Sequence, residues 1–228
     1  MTKIFDEKPR RVTLFAGHYG SGKTTAAVNY ALWLKEKGYD TAIADLDIVN
    51  PYFRTRDSID ALNQAGVRLI ASPFAGSNVD APALPGEAYA VVEDKSLHAV
   101  IDVGGDDRGA LALGRITPGI LEENDYEMLL VINGFRPLTR DAESTLEVMR
   151  EIEAAAGIRC TGLVNNTNLG KETTAEDVLE SVKYAEECAK LCGVPVKMTT
   201  VEESLAGELE GKIANLMPVT IRRKYKWN

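Results

Sequence analysis

A chain of 228 residues with a formal net charge of −8 is poorly suited to broad contact with nucleic acid phosphates, because like charges repel. Hydrophobic residues at 45% and charged residues at 26% are ordinary for a globular protein, and no run approaches the ~20 apolar residues that span a bilayer. Three cysteines make no disulfide framework and fit a reducing cytoplasm, and Met1–Lys8 has no apolar run behind its charges to form a signal peptide.

In chain order, Val12-Thr13-Leu14-Phe15 reads as a short buried strand. The next stretch, Gly17-His18-Tyr19-Gly20-Ser21-Gly22-Lys23-Thr24, fits G-x-x-x-x-G-K-[ST] residue for residue. Thr24 to Lys37 is rich in Ala and Leu and reads as a helix stopped by Gly38. Strand, glycine loop and helix is the order a phosphate-binding loop needs. Successive backbone N–H groups wrap the phosphate and the helix N-terminus adds its positive end. Lys23 then reaches the outer phosphates, the Thr24 hydroxyl ligates Mg²⁺, and Thr25 stands beside them in the first helical turn.

Thr41 to Asp45 is a second strand ending in a carboxylate, and Asp45-Leu46-Asp47 runs on toward Pro51. Asp57 to Gln64 reads as a short helix, Val67 to Ala71 as a third strand, and residues 72–87, with prolines at 73, 82 and 85, as a long loop. A short helix through Glu87–Glu93 precedes Ala99-Val100-Ile101-Asp102, a fourth strand that again ends in aspartate, and then the glycine-rich 103–109. Tyr126 to Ile132 is a central strand, Thr139 to Ala156 a helix, Thr161 to Asn165 a sixth strand. Thr173 with Glu176 suggests a capping box opening a helix to Leu191; Val194 to Met198 is the last strand and Ser204 to Leu216 the last helix. The alternation implies one α/β domain over 1–228, a mostly parallel doubly wound sheet of about seven strands with helices on both faces.

Ligands of such a sheet sit beyond the carboxyl ends of its strands. Asp45, Asp47 and Asp102 should therefore converge on the glycine loop, and three carboxylates there call for a cation between them, which Mg²⁺ with a nucleotide polyphosphate supplies.

These motifs, taken with Asp102-Val103-Gly104-Gly105 and Leu163-Val164-Asn165, come in the order seen in MinD/ParA-type ATPases, and residues 11–205 resemble that class, which includes metal-centre maturation and tail-anchored-protein targeting ATPases. The resemblance implies an ATP-hydrolysing, Mg²⁺-dependent switch acting on a protein client, with a homodimer across the nucleotide. It assigns the attacking water to Asp47, Mg²⁺ through water to Asp102 (beside the Thr24 and Asp45 ligands read above), the γ-phosphate sensor to the Gly105 N–H, and the base to Asn165. Asn165-Asn166-Thr167-Asn168 lacks the Lys and Asp of the guanine-reading N-K-x-D pattern, which favours adenine. The class places a lysine where this chain has His18; Arg54, Arg56 and Arg108 are candidates to supply a cation instead.

Cys188 and Cys192 have a spacing open to a metal, but Cys192 continues the apolar stripe of Val178, Val182, Ala185 and Ala189, which favours core packing. The basic, aromatic tail at 217–228 suits either an anionic membrane surface or packing on the domain. Rivals to the switch ATPase are a small-molecule kinase or ATP-dependent ligase, a metal-centre maturation ATPase, and a regulatory module that binds nucleotide without hydrolysis.

Overall fold

Strands that are apolar on both faces need cover on both, and the chain supplies it from alternating helices. A computed structural model describes residues 8–46, 56–71, 89–104 and 113–221. Its elements are β1 (Val12–Ala16), α1 (Lys23–Glu36), β2 (Thr41–Asp45), α2 (Arg56–Ala65), β3 (Arg68–Ala71), α3 (Ala90–Glu93), β4 (His98–Asp102), α4 (Thr117–Glu123), β5 (Tyr126–Ile132), α5 (Ala142–Ala156), β6 (Gly162–Asn165), α6 (Ala175–Cys192), β7 (Val196–Glu202), α7 (Glu203–Leu209) and β8 (Leu216–Val219).

The strands form one sheet in the order β3-β2-β4-β1-β5-β6-β7-β8, and every neighbouring pair is parallel. Period-two alternation divides the core between the two faces. Along β5, Met128, Leu130 and Ile132 join one layer with Ile120 of α4, Val148 of α5 and Cys188 of α6. Leu129 and Val131 point the other way, to Ala27, Tyr30 and Leu34 of α1 and Leu62 of α2. The sheet thus carries β1 in its middle, and the turn after β1 opens where the carboxyl ends of β1, β4 and β5 meet.

Several boundaries differ from the sequence reading. The sheet has eight strands, because residues 217–219, read as the start of a tail, are the last three of β8. Pro218 is tolerated there because β8 is an edge strand with one pairing side. Two hydrogen bonds hold its end to α1: Thr220 N donates to Asn29 Oδ1 (3.0 Å), and Asn29 Nδ2 donates to the Thr220 carbonyl (3.2 Å). The last helix ends at Leu209 rather than Leu216, and α4 is an element additional to those the sequence predicts. The capping box of α6 is Thr174 with Asp177, one residue later than expected, because the Thr173 hydroxyl is engaged with the Gly170 carbonyl (2.7 Å). The loop at 72–87 lies outside the described residues.

A buried ion pair ties the start of β1 to α4. The Arg11 guanidinium, 5% exposed, donates from Nε and Nη2 to the two carboxylate oxygens of Glu123, and from Nη1 to the carbonyls of Val91 (2.9 Å) and Leu97 (3.2 Å). Burial raises the Glu123 pKa, but hydrogen bonds from Arg11 and Lys95 outweigh it and hold the carboxyl below its usual 4.5. Glu123→Ala leaves a buried arginine without its counter-charge and is expected to cost about 3–5 kcal/mol at neutral pH by urea unfolding. A folded pKa held down means that the stabilisation is complete above the unfolded value and lost as pH falls through the folded one. The gap between parent and variant should therefore narrow below about pH 4.

Candidate functional site

The turn between β1 and α1 is shaped by its glycines. Gly17 has φ 147° and passes so close to β5 that a Cβ would lie 2.7 Å from the Val131 carbonyl oxygen. Gly22 caps α1 with φ 93°, and a Cβ there would lie 2.0 Å from Asn166 Nδ2. No side chain caps α1, so the N–H groups of its first turn are left to face a ligand. Lys23 is buried at 6% exposure, with Nζ donating to the His18 carbonyl (3.2 Å). The loop is therefore curled around an ammonium group with its N–H groups at a helix start, an arrangement fitted to an oxyanion.

The strand ends place carboxylates beside it. The Thr24 hydroxyl donates to Asp102 Oδ2 (2.6 Å), and Asp102 is 1% exposed. Asp45 is aligned with Asp102 across the β2–β4 register and is also buried. A hydroxyl and two carboxylates are hard oxygen donors, the set that suits Mg²⁺. Asp47, Arg54, Gly105 and Arg108 lie outside the described residues, as does the side chain of Arg56.

Asn165 is placed differently from the expectation. It has no exposed surface; its Nδ2 donates to Ser181 Oγ (2.8 Å) and its Oδ1 accepts from Thr167 N (3.2 Å). The next residue meets the loop: Asn166 Nδ2 donates to the Ser21 carbonyl (2.5 Å), while its Oδ1 accepts from the Thr200 hydroxyl. Consecutive residues at a strand end point to opposite sides, so the one-residue shift turns Asn165 into the core and Asn166 toward the site.

A cavity of about 580 Å³ opens over the loop. From the loop side it is lined by Tyr19, Gly20, Lys23, Thr24, Thr25 and Arg136. The rest of its lining includes the stretch from Asn166 to Lys171, Val201 and Glu202 at the end of β7, and Val219 and Ile221 at the end of β8. Arg136 and Glu202 belong to no local motif and the sequence gives no signal for them, while Ile221 falls in the stretch read as a tail. His18 turns outward, with Nε2 3.9 Å from Glu151 Oε2 on α5.

The cysteines stand apart from this cavity. Cys160 and Cys188 are buried, Cys188 Sγ lies 3.6 Å from Thr145 Oγ1, and Cys192 packs on the same layer. Burial pushes the Cys192 thiol up to about 11 and Cys160 to about 12, which leaves them as thiols near neutral pH. Among the described residues no three His, Cys, Asp or Glu side chains gather as a metal site, and no helix is long and apolar enough to cross a membrane.

Comparison with known proteins agrees with this geometry. A family model described as the CobQ/CobB/MinD/ParA nucleotide binding domain matches residues 12–205. The signal recognition particle protein of Mycobacterium leprae (strain TN) is 29% identical in an alignment of length 213 that covers 88% of this chain and 37% of that protein. The chain therefore spans little more than a third of that curated relative. Among solved structures, cell division protein FtsY from Thermotoga maritima superposes with a TM-score of 0.57 at 21% identity, covering 89% of this chain and 65% of that one. The 54 kDa signal recognition particle protein of Aeropyrum pernix K1, in complex with GDP, has a TM-score of 0.53 at 16% identity, covering 86% of this chain and 42% of that one. At these identities the solved structures are alike in fold.

Proposed function

Because the chain belongs to the CobQ/CobB/MinD/ParA nucleotide-binding domain family, we propose that it binds a purine nucleoside triphosphate with Mg²⁺ and hydrolyses it as a switch acting on a protein partner. The observation that carries this reading is the Thr24–Asp102 hydrogen bond beside Asp45, set directly against the curled loop and Lys23. The loop N–H groups and Lys23 hold the phosphates, and Thr24, Asp45 and Asp102 are the oxygen donors for the cation. Bound Mg²⁺ would neutralise charge on the phosphate oxygens. Asp47 is assigned to orient the attacking water and the Gly105 N–H to sense the terminal phosphate. Since little besides positioning drives such a reaction, turnover without the partner should be slow.

We assign adenine as the base. In the frame anchored on Asn166, the sequence Asn166-Thr167-Asn168-Leu169 presents Leu169, exposed and apolar, where a guanine-reading pattern has a carboxylate. A guanine reading has two observations in its favour: a fold relative is in complex with GDP, and Glu202 brings a carboxylate to the cavity that could accept from guanine N–H groups. Titration with ATP and with GTP in the presence of Mg²⁺ separates them. ATP should bind at least about tenfold more tightly, roughly the worth of one well-placed hydrogen bond. Tighter GTP binding would favour the guanine reading, and no binding of either at millimolar concentration would remove the nucleotide proposal altogether.

A further inference from the structure

Beside the loop end of the cavity stand two buried carboxylates, Asp45 and Asp102, which the nucleotide reading gives to Mg²⁺. A triphosphate brings several negative charges to a place where Asp45 and Asp102 already stand, and Lys23 is the one cation contributed by the loop itself. The other described cations lining the cavity are Arg136 and Lys171, of which Arg136 is the one set against a loop glycine and Lys171 comes from the turn after β6.

Arg136 lies against the loop. Its Cζ and Nε are each 3.9 Å from where a Cβ on Gly20 would stand, so the guanidinium rests in van der Waals contact range over the loop backbone. Gly20 is two residues from His18, whose carbonyl holds the Lys23 ammonium, so both cations are at the same end. His18 itself is turned toward Glu151. Among the described residues the Arg136 side chain has no carboxylate or hydrogen-bond partner, unlike Arg140, which pairs with Asp141 (3.2 Å).

The backbone that carries Arg136 is held in place. Asn133, fully buried, accepts from Phe135 N at Oδ1 (3.0 Å) and donates from Nδ2 to the Asn168 carbonyl (3.2 Å). Gly134 N donates to Thr167 Oγ1 (3.1 Å), Arg136 N to the Asn133 carbonyl (2.9 Å), and the Thr139 hydroxyl to the same carbonyl (2.9 Å). The Tyr184 hydroxyl donates to the Thr139 carbonyl. The turn after β5 is thus tied to the turn after β6 and to α6. A long exposed arginine on a turn held this way is pre-positioned, because the ordering of its backbone is complete before ligand arrives.

Resting on the nucleotide reading above, we infer that Arg136 is a phosphate-contacting residue supplied within the same chain, its guanidinium donating to the terminal phosphate of the bound triphosphate. The guanidinium fork suits phosphate oxygens, and a contact to the terminal group distinguishes triphosphate from diphosphate.

The test is titration of the full chain and its R136A, R136K and R140A variants with AMP-PNP and ADP, and with GMP-PNP and GDP, each with Mg²⁺. R136A should lower the ratio of triphosphate-analogue to diphosphate affinity by about tenfold to a hundredfold, the range for hydrogen bonds to charged groups. ADP or GDP binding should stay within a few-fold of the parent, which also reports an intact fold. R136K should recover part of the ratio, and R140A should leave it unchanged. An R136A protein with the parent's ratio would overturn the inference while leaving the nucleotide reading standing. A parent that binds none of the four nucleotides would overturn both.

Discussion

Gly22→Ala is expected to abolish tight nucleotide binding, by a hundredfold or more, and to lower the melting temperature of the chain. Two effects act together. The backbone at Gly22 has φ 93°, a left-handed conformation that costs an L-residue about 1–2 kcal/mol. The new Cβ would also stand 2.0 Å from Asn166 Nδ2, a separation no pair of atoms can keep. Asn166 must then swing away, and it takes with it the bond to the Ser21 carbonyl and the one from Thr200. A combined cost of about 2–3 kcal/mol corresponds to roughly 5–10 °C in Tm for a domain of this size. The double variant Gly22→Ala/Asn166→Ala removes the collision but keeps the strained backbone and leaves the loop untied. It should regain part of the melting temperature and none of the affinity. Parent-like binding by Gly22→Ala, measured by titration with a labelled nucleotide, would contradict the loop geometry.

Asp102→Asn should remove most of the dependence of triphosphate affinity on Mg²⁺. The amide keeps the size of the carboxylate and can still accept from the Thr24 hydroxyl, so the fold should be retained. Its lost charge is the one assigned to the cation. In the parent, chelating Mg²⁺ with EDTA is expected to weaken triphosphate binding by about a hundredfold, and in the variant by about tenfold or less. Because Asp45 and Asp102 are aligned on adjacent strands, removing one negative charge also relieves repulsion when no cation is present. Without Mg²⁺ the variant should therefore be as stable as the parent or slightly more so. Asp47→Ala should behave differently, keeping Mg²⁺-dependent binding and losing about 10²- to 10⁴-fold in turnover, the usual span for a group that positions or activates the nucleophile. Equal Mg²⁺ dependence in parent and Asp102→Asn would rule out the assignment of that carboxylate.

What the sequence made legible follows from how local the cause is. The strands at Thr41–Asp45 and Tyr126–Ile132 have the bounds the sequence predicts, because unbroken apolar runs between polar residues leave few alternatives. The phosphate loop was equally plain, since its glycines, lysine and threonine are contiguous. The Asn165/Asn166 distinction was not, because a run of polar residues at a strand end carries no period of its own, and the side each residue faces follows from the alternation carried in from Leu163 and Val164, which pack on opposite faces of the sheet. β8 was hidden by its Pro218 and its four-residue length, and only its place at the sheet edge makes it a strand. Arg136 reaches Gly20 from a different strand end, a contact that no spacing along the chain announces.

The attachment of β8 to α1 has a consequence for biosynthesis. Val219 and Ile221 form part of the cavity wall, and Thr220 is bonded to the helix that carries Lys23 and Thr24. The wall that completes the pocket leaves the ribosome some two hundred residues after the phosphate loop. A nucleotide that needs the finished pocket would add its binding free energy only after residue 221 has cleared the exit tunnel, and until then the parallel sheet would depend on its own packing.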